Sequence, residues 1–425
     1  MTELMAGTHW PAIAIWSISL VSIALVLARP KGWPEAIWPI LGAIILVTAR
    51  LLSPVAAWSA AAKGTDVYLF LIGMMIMAEL ARREGVFDWL AAHAVRAARG
   101  SRGKLFVLIY GVGILVTVLL SNDATAVVLT PAVQASLRAA QAEPLPYLMV
   151  CAFIANAASF VLPISNPANL VVFSQGMPPL MRWLGIFAVP SLLSIGITFV
   201  VLRYLSRKLL AGDMQTDVDG KTLSVAGKMT FAGIGFLATT LIVTSALGKD
   251  LGAPACVAGL LVAAAVAWRD HKAPLDIAKE ISWSVIPLVA GLFVIVEAIN
   301  SAGASYAAVA ALKEISHWPT FMGALSSAFG IAFISNLMNN LPSGLISGAA
   351  VHAAGITGPL RNAVLIGVDL GPNLSVTGSL ATILWLIAIR REGQQVSFWQ
   401  FLKWGALVMP PALALAVAAL MLAPN

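Results

Sequence analysis

The stretch GMMIMAELARREG at residues 73–85 has a related counterpart, GLFVIVEAINSAG, at residues 291–303. The two stretches align without a gap and keep two glycines and one glutamate in place. The shared positions are Gly73 with Gly291, Glu79 with Glu297, and Gly85 with Gly303. An internal repeat in apolar sequence predicts a membrane carrier of two halves, whose substrate site lies where the halves meet.

Two further segments recur in the same order, and each interrupts apolar sequence with polar residues. SNDATAVVLTP at 121–131 is answered by MNNLPSGLISG at 338–348, and NAASFVLPISNPAN at 156–169 by DLGPNLSVTGSLAT at 369–382. Pro and Gly release backbone groups from helical hydrogen bonds, which a membrane tolerates only beside protein or a wet cavity. A single Ser, Thr or Asn can be explained without a substrate, because these side chains also form hydrogen bonds between neighbouring helices. Four polar breaks in two pairs instead favour a substrate site built from broken helices.

The composition is that of a membrane protein. Of 425 residues, 60% are hydrophobic and 11% are charged, and the mean hydropathy is +0.90. So few charges cannot cover the surface of a soluble domain of this length. We expect roughly ten full spans plus shorter broken segments. Because no basic segment or cleavage site precedes Pro11, we expect the first span to stay in the mature protein.

These observations together predict an all-α polytopic membrane protein. Two inverted-topology repeats would carry broken or re-entrant helices that meet at the bilayer midplane. We assign residues 1–202 to the first transmembrane repeat with its leading spans. Residues 203–228 form a cytoplasmic linker, and residues 229–425 form the second repeat.

Positive charge is placed unevenly along the chain. The formal net charge is +7, and Lys and Arg cluster between Arg82 and Lys104 and in the linker, while none precedes the first span. Basic loops tend to remain cytoplasmic, which predicts both termini on the outer side of the cell inner (plasma) membrane. The basic runs are interpreted as topology signals, and no nucleic-acid partner is expected. Glu79 lies three residues before Arg82, a spacing that allows pairing on a helix, whereas Glu297 has no basic neighbour in sequence.

Two acids lie within the polar breaks, in exchanged positions. Asp123 stands where the second half has Asn340, and Asp369 stands where the first half has Asn156. A carboxylate inside a membrane costs roughly 2.5–3.5 kcal/mol on insertion scales and is a functional hypothesis by default. Asp123 and Asp369 are therefore predicted to bind the coupled protons, with capping of a helix N-terminus as the structural alternative.

The sequence contains no recognisable catalytic or metal-binding motif. The five histidines are scattered, and Cys151 and Cys256 lie far apart in apolar sequence, which is typical of small buried side chains. We find no P-loop, nucleophile elbow or zinc motif. We therefore expect no metal, no cofactor and no enzymatic activity, and we expect an ion gradient to be the energy source.

Four strings within the repeated segments resemble the arsenical pump membrane proteins of the ion transporter superfamily. They are SNDATAVVLTP, NPANLV, SNLMNNLPSG and GVDLGPNLSVTGSLATILW, and the resemblance extends over nearly the whole chain. It implies a carrier that expels trivalent arsenite, and antimonite, from the cytoplasm in exchange for protons. The residues leave open whether the motion is an elevator slide or a rocking motion, and the resemblance favours the elevator. It also implies a homodimer, or a monomer in some members, and for some members a cytoplasmic arsenite-stimulated ATPase as partner. An acid is common in the family at the position of Asn156, so its absence here gives more weight to Asp123 and Asp369.

The residue types in the breaks suit a neutral substrate. Arsenite at neutral pH is mostly As(OH)3, whose hydroxyls both donate and accept, so Asn, Ser and Thr suit it better than fixed cations. No Lys or Arg lies within the four breaks, and two distant cysteines cannot chelate arsenic. The predicted substrate-binding residues are Ser121, Asn122, Thr125, Asn166 and Asn169 from the first half, and Asn339, Asn340, Asn373, Thr377 and Ser379 from the second.

Other functions remain open on the sequence alone. A Na+/H+ antiporter of the same superfamily would use the same Asp and Asn oxygens to bind sodium. A dicarboxylate carrier ranks lower, because its anionic substrate calls for basic residues at the breaks. An intramembrane enzyme could use Asp123 and Asp369 as an acid dyad, but this function would not explain why the polar breaks occur in pairs. A passive channel would differ from a carrier in showing no accumulation driven by a pH gradient.

Overall fold

The computed structural model describes residues 10–28, 30, 33–174, 176–215, 222–270 and 278–423. Within these ranges the regular elements are helices, apart from one isolated β-bridge between Ser101 and Asp213. Serines begin several of the helices. Ser53, Ser224 and Ser397 each accept a hydrogen bond from the backbone N–H three residues on, at 2.9–3.1 Å. Such caps satisfy a donor that the first helical turn leaves without a partner.

The helices before the linker include two places where the chain breaks. They are α1 (Trp10–Ala28), α2 (Ile37–Thr48), α3 (Pro54–Lys63), α4 (Thr65–Arg83), α5 (Val86–Ala97), α6 (Arg102–Leu119), α7 (Thr130–Ala139), α8 (Leu145–Ala157), α9 (Pro167–Val172) and α10 (Leu180–Ser206). After α6 the chain is irregular at Ser121 and then forms a π-helical turn at Ala124–Leu129, which leads into α7. Between α8 and α9 lies a 3-10 turn at Pro163–Ser165.

The helices after the linker follow a similar plan. They are α11 (Val225–Ala246), α12 (Gly252–Asp270), α13 (Val285–Ser301), α14 (Ala304–Ser316), α15 (Thr320–Met338), α16 (Asn340–Ala353), α17 (Gly358–Leu370), α18 (Leu380–Arg391) and α19 (Phe398–Leu420). The chain breaks at Asn339, between α15 and α16. It breaks again between α17 and α18, where a 3-10 turn at Gly371–Asn373 begins an irregular segment.

Six of the described helices are long and apolar enough to cross a membrane, and there are eight candidates if each of two bent pairs is one span. The bent pairs are α3 with α4, at 47°, and α13 with α14, at 76°. The expectation of roughly ten full spans is therefore too high for the described chain, because polar breaks divide apolar runs into shorter helices such as α8 and α9. The prediction of an all-helical polytopic membrane protein with broken helices is confirmed.

The order of elements recurs across the linker. In each half, a long helix is followed by a short one, two broken segments and a final long helix. Gly85 and Gly303, which the sequence pairs, directly precede the short helices α5 and α14 and have positive φ angles of 72° and 95°. Glycine adopts this left-handed conformation without steric cost, so both halves turn sharply at the same point.

A second pair of glycines permits close helix packing in both halves. A Cβ on Gly73 of α4 would lie 2.3 Å from the carbonyl oxygen of Ala255 in α12. A Cβ on Gly291 of α13 would lie 2.9 Å from the carbonyl carbon of Pro39 in α2. The two glycines that align in sequence therefore lie at equivalent contacts between helices.

The helices that carry the breaks form one packed group. α6 packs against α8, α15 against α17, and the long helices α10 and α19 against each other. The Trp385 indole of α18 donates to the carbonyl of Leu148 in α8 at 3.0 Å, and the rings of Phe153 and Phe401 stack 4.9 Å apart. Contacts between helices of the two halves thus bring their broken segments together.

Residues 203–206 of the assigned linker continue α10, and Met214 and Gln215 within the linker lie against this group. The backbone N–H of Met214 donates to the carbonyl of Gly100 at 2.9 Å, and that of Gln215 donates to the carbonyl of Ala140 at 3.1 Å. Gly100 precedes α6 and Ala140 follows α7. The linker therefore contacts both ends of the segment that contains the first break, while residues 216–221 lie outside the described ranges.

Replacing Gly73 with alanine is expected to lower the free energy of unfolding by about 1–3 kcal/mol, the usual cost of overpacking. The new Cβ would collide with the backbone of α12, which has no flexible end that can move aside. Gly111→Ala is the control, because Gly111 also lies in an apolar helix but a Cβ added there would meet no atom within 4 Å. Thermal unfolding in detergent compares the variants, and an unchanged midpoint for Gly73→Ala would contradict the close packing.

Candidate functional site

In the first break of the first half, side-chain oxygens accept hydrogen bonds from backbone N–H groups of the same break. Ser121 Oγ accepts a hydrogen bond from the Ala124 N–H at 3.2 Å, and Asn122 Oδ1 accepts one from the Asp123 N–H at 2.9 Å. Ser121 and Asn122 are buried, whereas Asp123 is half-buried. The Asp123 side chain forms no hydrogen bond within the described residues and instead lines a cavity.

The second break of the first half is folded around Asn169. Its Nδ2 donates to three backbone carbonyls of the break, at 2.9, 3.3 and 3.3 Å: those of Ser159, Leu162 and Pro163. Asn166 caps α9, because its Oδ1 accepts from the Ala168 N–H at 3.0 Å. Both asparagines are buried, and both hold the break in its conformation.

Asp369 joins the two halves. Asn166 Nδ2 donates to Asp369 Oδ1 at 2.8 Å, and both side chains are buried. The other carboxyl oxygen, Oδ2, is also buried and has no partner in the described part of the chain. A buried polar atom without a partner costs about 1–3 kcal/mol. A hydroxyl that donates to this oxygen would remove that cost, whereas a bound proton would remove the buried negative charge.

A second contact between the halves lies in the same pair of breaks. Asn156 Nδ2 donates to Asn373 Oδ1 at 3.0 Å, and Asn373 Nδ2 donates to the carbonyl of Phe153 at 3.1 Å. Asn156 Oδ1 is buried without a partner among the described residues, as is Oδ1 of Asn169. These two breaks therefore hold several acceptor oxygens to which no described residue donates a hydrogen bond.

The first break of the second half has an unusual backbone. Asn339 has φ 77° and ψ 154°, and its Oδ1 accepts from the Leu341 N–H at 3.3 Å. A positive φ is uncommon outside glycine, and such strain is concentrated at functional sites. The Asn340 N–H donates to the carbonyl of Gly378 at 2.9 Å, so the two breaks of this half are in direct contact.

Asn336 links α15 to the last break. Its Nδ2 donates to the Gly371 carbonyl at 2.7 Å, and its Oδ1 accepts from Ser375 Oγ at 2.6 Å. Its carbonyl accepts from Thr377 Oγ1 at 2.8 Å. Ser379 caps α18 by accepting from a backbone N–H at 3.1 Å. Asn336 was not among the predicted binding residues, although its place one turn before the Asn339 break was a usable signal.

Two hydroxyl contacts indicate which residues of the first half correspond to which residues of the second half. Thr117 Oγ1 lies 2.8 Å from Thr125 Oγ1, and Ser335 Oγ lies 2.6 Å from Ser343 Oγ. In each pair the residues are eight apart, buried, and on opposite sides of a break. Thr125 is therefore part of a helix contact rather than a free ligand.

This register differs by one residue from the pairing made on sequence. If the hydroxyl pairs are equivalent, Asn122 corresponds to Asn340, and Asp123 corresponds to Leu341. The acid of the first break thus has an apolar counterpart instead of an amide. The gapless pairing of residues 73–85 with 291–303 has the same offset of 218 positions as the hydroxyl pairs, whereas the pairing of the first breaks made on sequence has an offset of 217.

A cavity of about 240 Å³ opens beside Asp123, and we call it the Asp123 cavity. Its wall includes Ser121 and Asp123, the first residues of α9 and α18 (Pro167 and Leu380), and a face of α4 that ends at Arg82. The start of α18 contributes the positive end of a helix dipole, which favours oxygen-rich groups. The cavity is therefore formed jointly by both halves.

A much smaller cavity occupies the corresponding place beside the other half. It has a volume of about 10 Å³ and is lined by Asn339, Leu341 and residues of α1 and α13; we call it the Asn339 cavity. Leu380 lines both cavities. Met74, next to Gly73, lines the first, and Leu292, next to Gly291, lines the second. Corresponding surfaces of the two halves are thus open in one case and closed in the other.

The structure separates the predicted site residues into two sets. Ser121 and Asp123 line the Asp123 cavity, and Asn339 lines the small one. The remaining predicted residues line neither cavity and lie within or between the breaks: Asn122, Thr125, Asn166, Asn169, Asn340, Asp369, Asn373, Thr377 and Ser379.

Ion pairs lie at both ends of this region, and sequence spacing predicted only one of them. Arg82 Nε donates to Glu79 Oε2 at 2.9 Å, as the spacing suggested, and Arg82 also contacts Glu280. Glu297 pairs with Lys63 at 3.0 Å, across 234 positions of the chain. The lack of a basic neighbour in sequence therefore did not leave Glu297 unpaired, because the fold brings Lys63 to it.

The family model for CitMHS, described as citrate transporter, matches residues 12–390. The chain belongs to the CitMHS family. This family membership places it among membrane transporters, as the repeat and the polar breaks predict. The family description does not by itself assign a substrate to this chain.

Two curated relatives support the resemblance found in the sequence. The chain is 27% identical over 429 aligned positions to the arsenical pump membrane protein of Escherichia coli (strain K12), covering 96% of this chain and 97% of the relative. It is 26% identical over 426 positions to the arsenical pump membrane protein of Yersinia enterocolitica, with the same coverage. The resemblance to arsenical pump membrane proteins is therefore confirmed over nearly the full length of this CitMHS chain.

A solved structure shares the fold. The crystal structure of the Alcanivorax borkumensis YdaH transporter, described as having an unusual topology, matches this chain with a TM-score of 0.55 and 15% identity. The match covers 97% of each chain. The CitMHS chain therefore shares this fold over nearly its whole length.

The Asn166–Asp369 contact is expected to couple the stabilities of the two halves. Asn166→Ala, Asp369→Ala and the double variant form a thermodynamic cycle. Because the residues are buried and bonded to each other, we expect a coupling of about 0.5–3 kcal/mol. Unfolding in detergent measures it. Additive effects, within about 0.5 kcal/mol, would show that the contact does not form in the protein.

Proposed function

We propose that the protein is a secondary active transporter that expels arsenite, and antimonite, from the cytoplasm in exchange for protons. The observation that carries this proposal is the Asp123 cavity, where a carboxyl group and a serine hydroxyl share a wall with two helix starts. Arsenical pump relatives that align over nearly the full chain support the choice of substrate.

The chemistry of the breaks supports a hydroxylated, uncharged substrate. As(OH)3 offers three O–H donors, and the breaks hold buried acceptor oxygens without partners in the described chain: Asn156 Oδ1, Asn169 Oδ1 and Asp369 Oδ2. Each unsatisfied acceptor favours a ligand that donates a hydrogen bond. The same oxygens would also suit Na+, and this observation keeps a Na+/H+ antiporter as the second candidate.

The two intramembrane acids are the proposed proton sites. Asp123 faces the cavity, where a proton can reach it from water. Asp369 is buried with one oxygen bonded to Asn166 and the other unpaired. Ionisable groups inside membrane segments are costly and commonly mark proton relays. Exchange follows if substrate hydroxyls and protons compete for the same oxygens.

The proposed mechanism is alternating access by two inverted repeats. The Asp123 cavity ends at Arg82, next to the basic segment that the charge rule places in the cytoplasm. The corresponding Asn339 cavity is closed. In this interpretation the conformation is open to the cytoplasm, both termini lie outside, and the protein sits in the cell inner membrane.

The moving part is proposed to be the packed group that contains the breaks, sliding against the remaining helices as in an elevator. A homodimer and a cytoplasmic arsenite-stimulated ATPase partner are proposals from the family resemblance. The linker and the segment from Arg82 to Lys104 are the cytoplasmic surfaces available to such a partner.

Asp123→Asn and Asp369→Asn are each expected to abolish arsenite accumulation in everted vesicles energised by an imposed pH gradient. The amide keeps the size of the side chain but cannot bind and release a proton. The measurement is uptake of arsenite, with and without an uncoupler. Asp213→Asn in the linker is the matched control, because this exposed acid lies outside the breaks and cavities.

The outcomes separate the candidate functions. Uncoupler-sensitive arsenite uptake that both variants lose supports the proton-coupled carrier. Sodium that dissipates the pH gradient, with no arsenite uptake, would replace it with the antiporter. Arsenite equilibration that no gradient concentrates would indicate a passive channel.

Cysteine accessibility tests the open and closed cavities. In a background with Cys151 and Cys256 replaced by alanine, Met74→Cys is expected to react at least about tenfold faster than Leu292→Cys with a membrane-impermeant thiol reagent in everted vesicles. The two positions correspond in the repeat and are similarly buried, at 4% and 3% exposure. They differ in that Met74 lines a cavity of about 240 Å³ and Leu292 lines one of about 10 Å³. Equal rates from this side would contradict the assignment of the open side.

A further inference from the structure

The wall of the Asp123 cavity carries more charge than the polar breaks alone suggest. Its ionisable residues within the described chain are three carboxylic acids, Glu79, Asp123 and Glu280, and one guanidinium, Arg82. Glu79 comes from α4 and Glu280 from the segment before α13, so the charges come from both halves. With all of these groups ionised, the cavity has a net negative charge.

Arg82 is held by both glutamates. Its Nε donates to the two carboxyl oxygens of Glu79 at 3.1 and 2.9 Å, and its Nη2 contacts Glu280. The Glu79 side chain is only 12% exposed, whereas Arg82 and Glu280 are about half exposed, at 49% and 50%. The Nε–Nη2 edge of the guanidinium, one of the two edges that a carboxylate ligand can contact in a bidentate manner, is therefore already occupied, and Nη2 is shared with a second carboxylate.

This arrangement bears on which solutes enter the cavity. The sequence places no cation within the breaks, but the fold places Arg82 in the wall of the same cavity as Asp123. A free arginine there would attract polycarboxylates and other oxyanions. An arginine neutralised by two glutamates, beside a third carboxyl group, repels them instead.

We propose that Glu79 and Glu280 are specificity-determining residues, which exclude anionic solutes by occupying Arg82 and keeping the cavity negative. A neutral hydroxylated solute such as As(OH)3 enters without this repulsion. The inference rests on the proposed function only in naming the solute that is admitted. The proposed exclusion of citrate and similar anions does not depend on arsenite being the substrate. It would distinguish this chain within a family that is described as citrate transporters.

The test is citrate binding to the purified protein in detergent, comparing wild type with the Glu79→Gln/Glu280→Gln double variant. Binding is read by radiolabelled citrate and by the shift in thermal unfolding. We expect no saturable citrate binding to wild type and a gain of about tenfold or more in the double variant, because Arg82 becomes free. Glu280→Gln alone, at a half-exposed position, is expected to give a smaller gain and serves if the double variant does not fold.

Two controls identify the cause of any gain. Glu297 pairs with Lys63, and Glu392, which follows α18, pairs with Arg138 at 3.0 Å. Glu297→Gln/Glu392→Gln therefore removes two negative charges and frees two cations outside the Asp123 cavity, and it is expected to leave citrate binding absent. Adding Arg82→Gln to the double variant is expected to abolish the gain. Saturable citrate binding to wild type, a folded double variant without gain, or a gain that persists without Arg82 would each overturn the proposal.

The binding assay also separates this proposal from the proposed transport function. Failure of wild-type vesicles to take up arsenite would count against arsenite efflux. The citrate measurement would still decide whether the two glutamates exclude anions, since it requires no transport. Arsenite uptake by wild type that citrate does not inhibit is the result expected if both proposals hold.

Discussion

Backbone groups released at a helix break have no water partner inside a membrane, so the protein itself must satisfy them. Here the side chains in the breaks perform much of this task. Asn169 donates to three carbonyls of its own break, and Asn166 and Ser379 cap the helices that resume. Asn336 connects a helix before one break to the loop of another. The breaks can persist in apolar surroundings because these contacts replace the missing helical hydrogen bonds.

The same constraint explains why few polar residues remain available to a substrate. Most of the amides and hydroxyls in the breaks are committed to backbone groups or to one another. Acceptor oxygens at Asn156, Asn169 and Asp369 remain buried and unpaired in the described chain, and the Asp123 side chain faces the open cavity. The proposed binding of a substrate would therefore depend on a small remainder of oxygen atoms, because most of the polar side chains in the breaks have a structural role.

The sequence predicted the elements better than the site. Polar residues in apolar runs located all four breaks, and the glycines that the sequence pairs, Gly85 and Gly303, lie at equivalent turns with positive φ. The sequence could not distinguish capping residues from ligands, because Asn and Ser, the residue types at positions 166 and 379, serve in both roles. It also could not find the Lys63–Glu297 pair or place Arg82 beside Asp123. These contacts depend on how distant helices pack, and no local pattern records them.

The position of Arg82 also bears on how one fold can serve different substrates. The family description refers to citrate, whereas near full-length relatives are arsenical pump membrane proteins. A scaffold of broken helices supplies neutral donors and acceptors that suit many oxygen-rich solutes. The net charge of the cavity wall then decides whether an anion can approach them. In this chain, Glu79 and Glu280 pair with Arg82 and keep the wall of the cavity negative. The proposed preference for uncharged solutes therefore requires no change in the residues of the breaks.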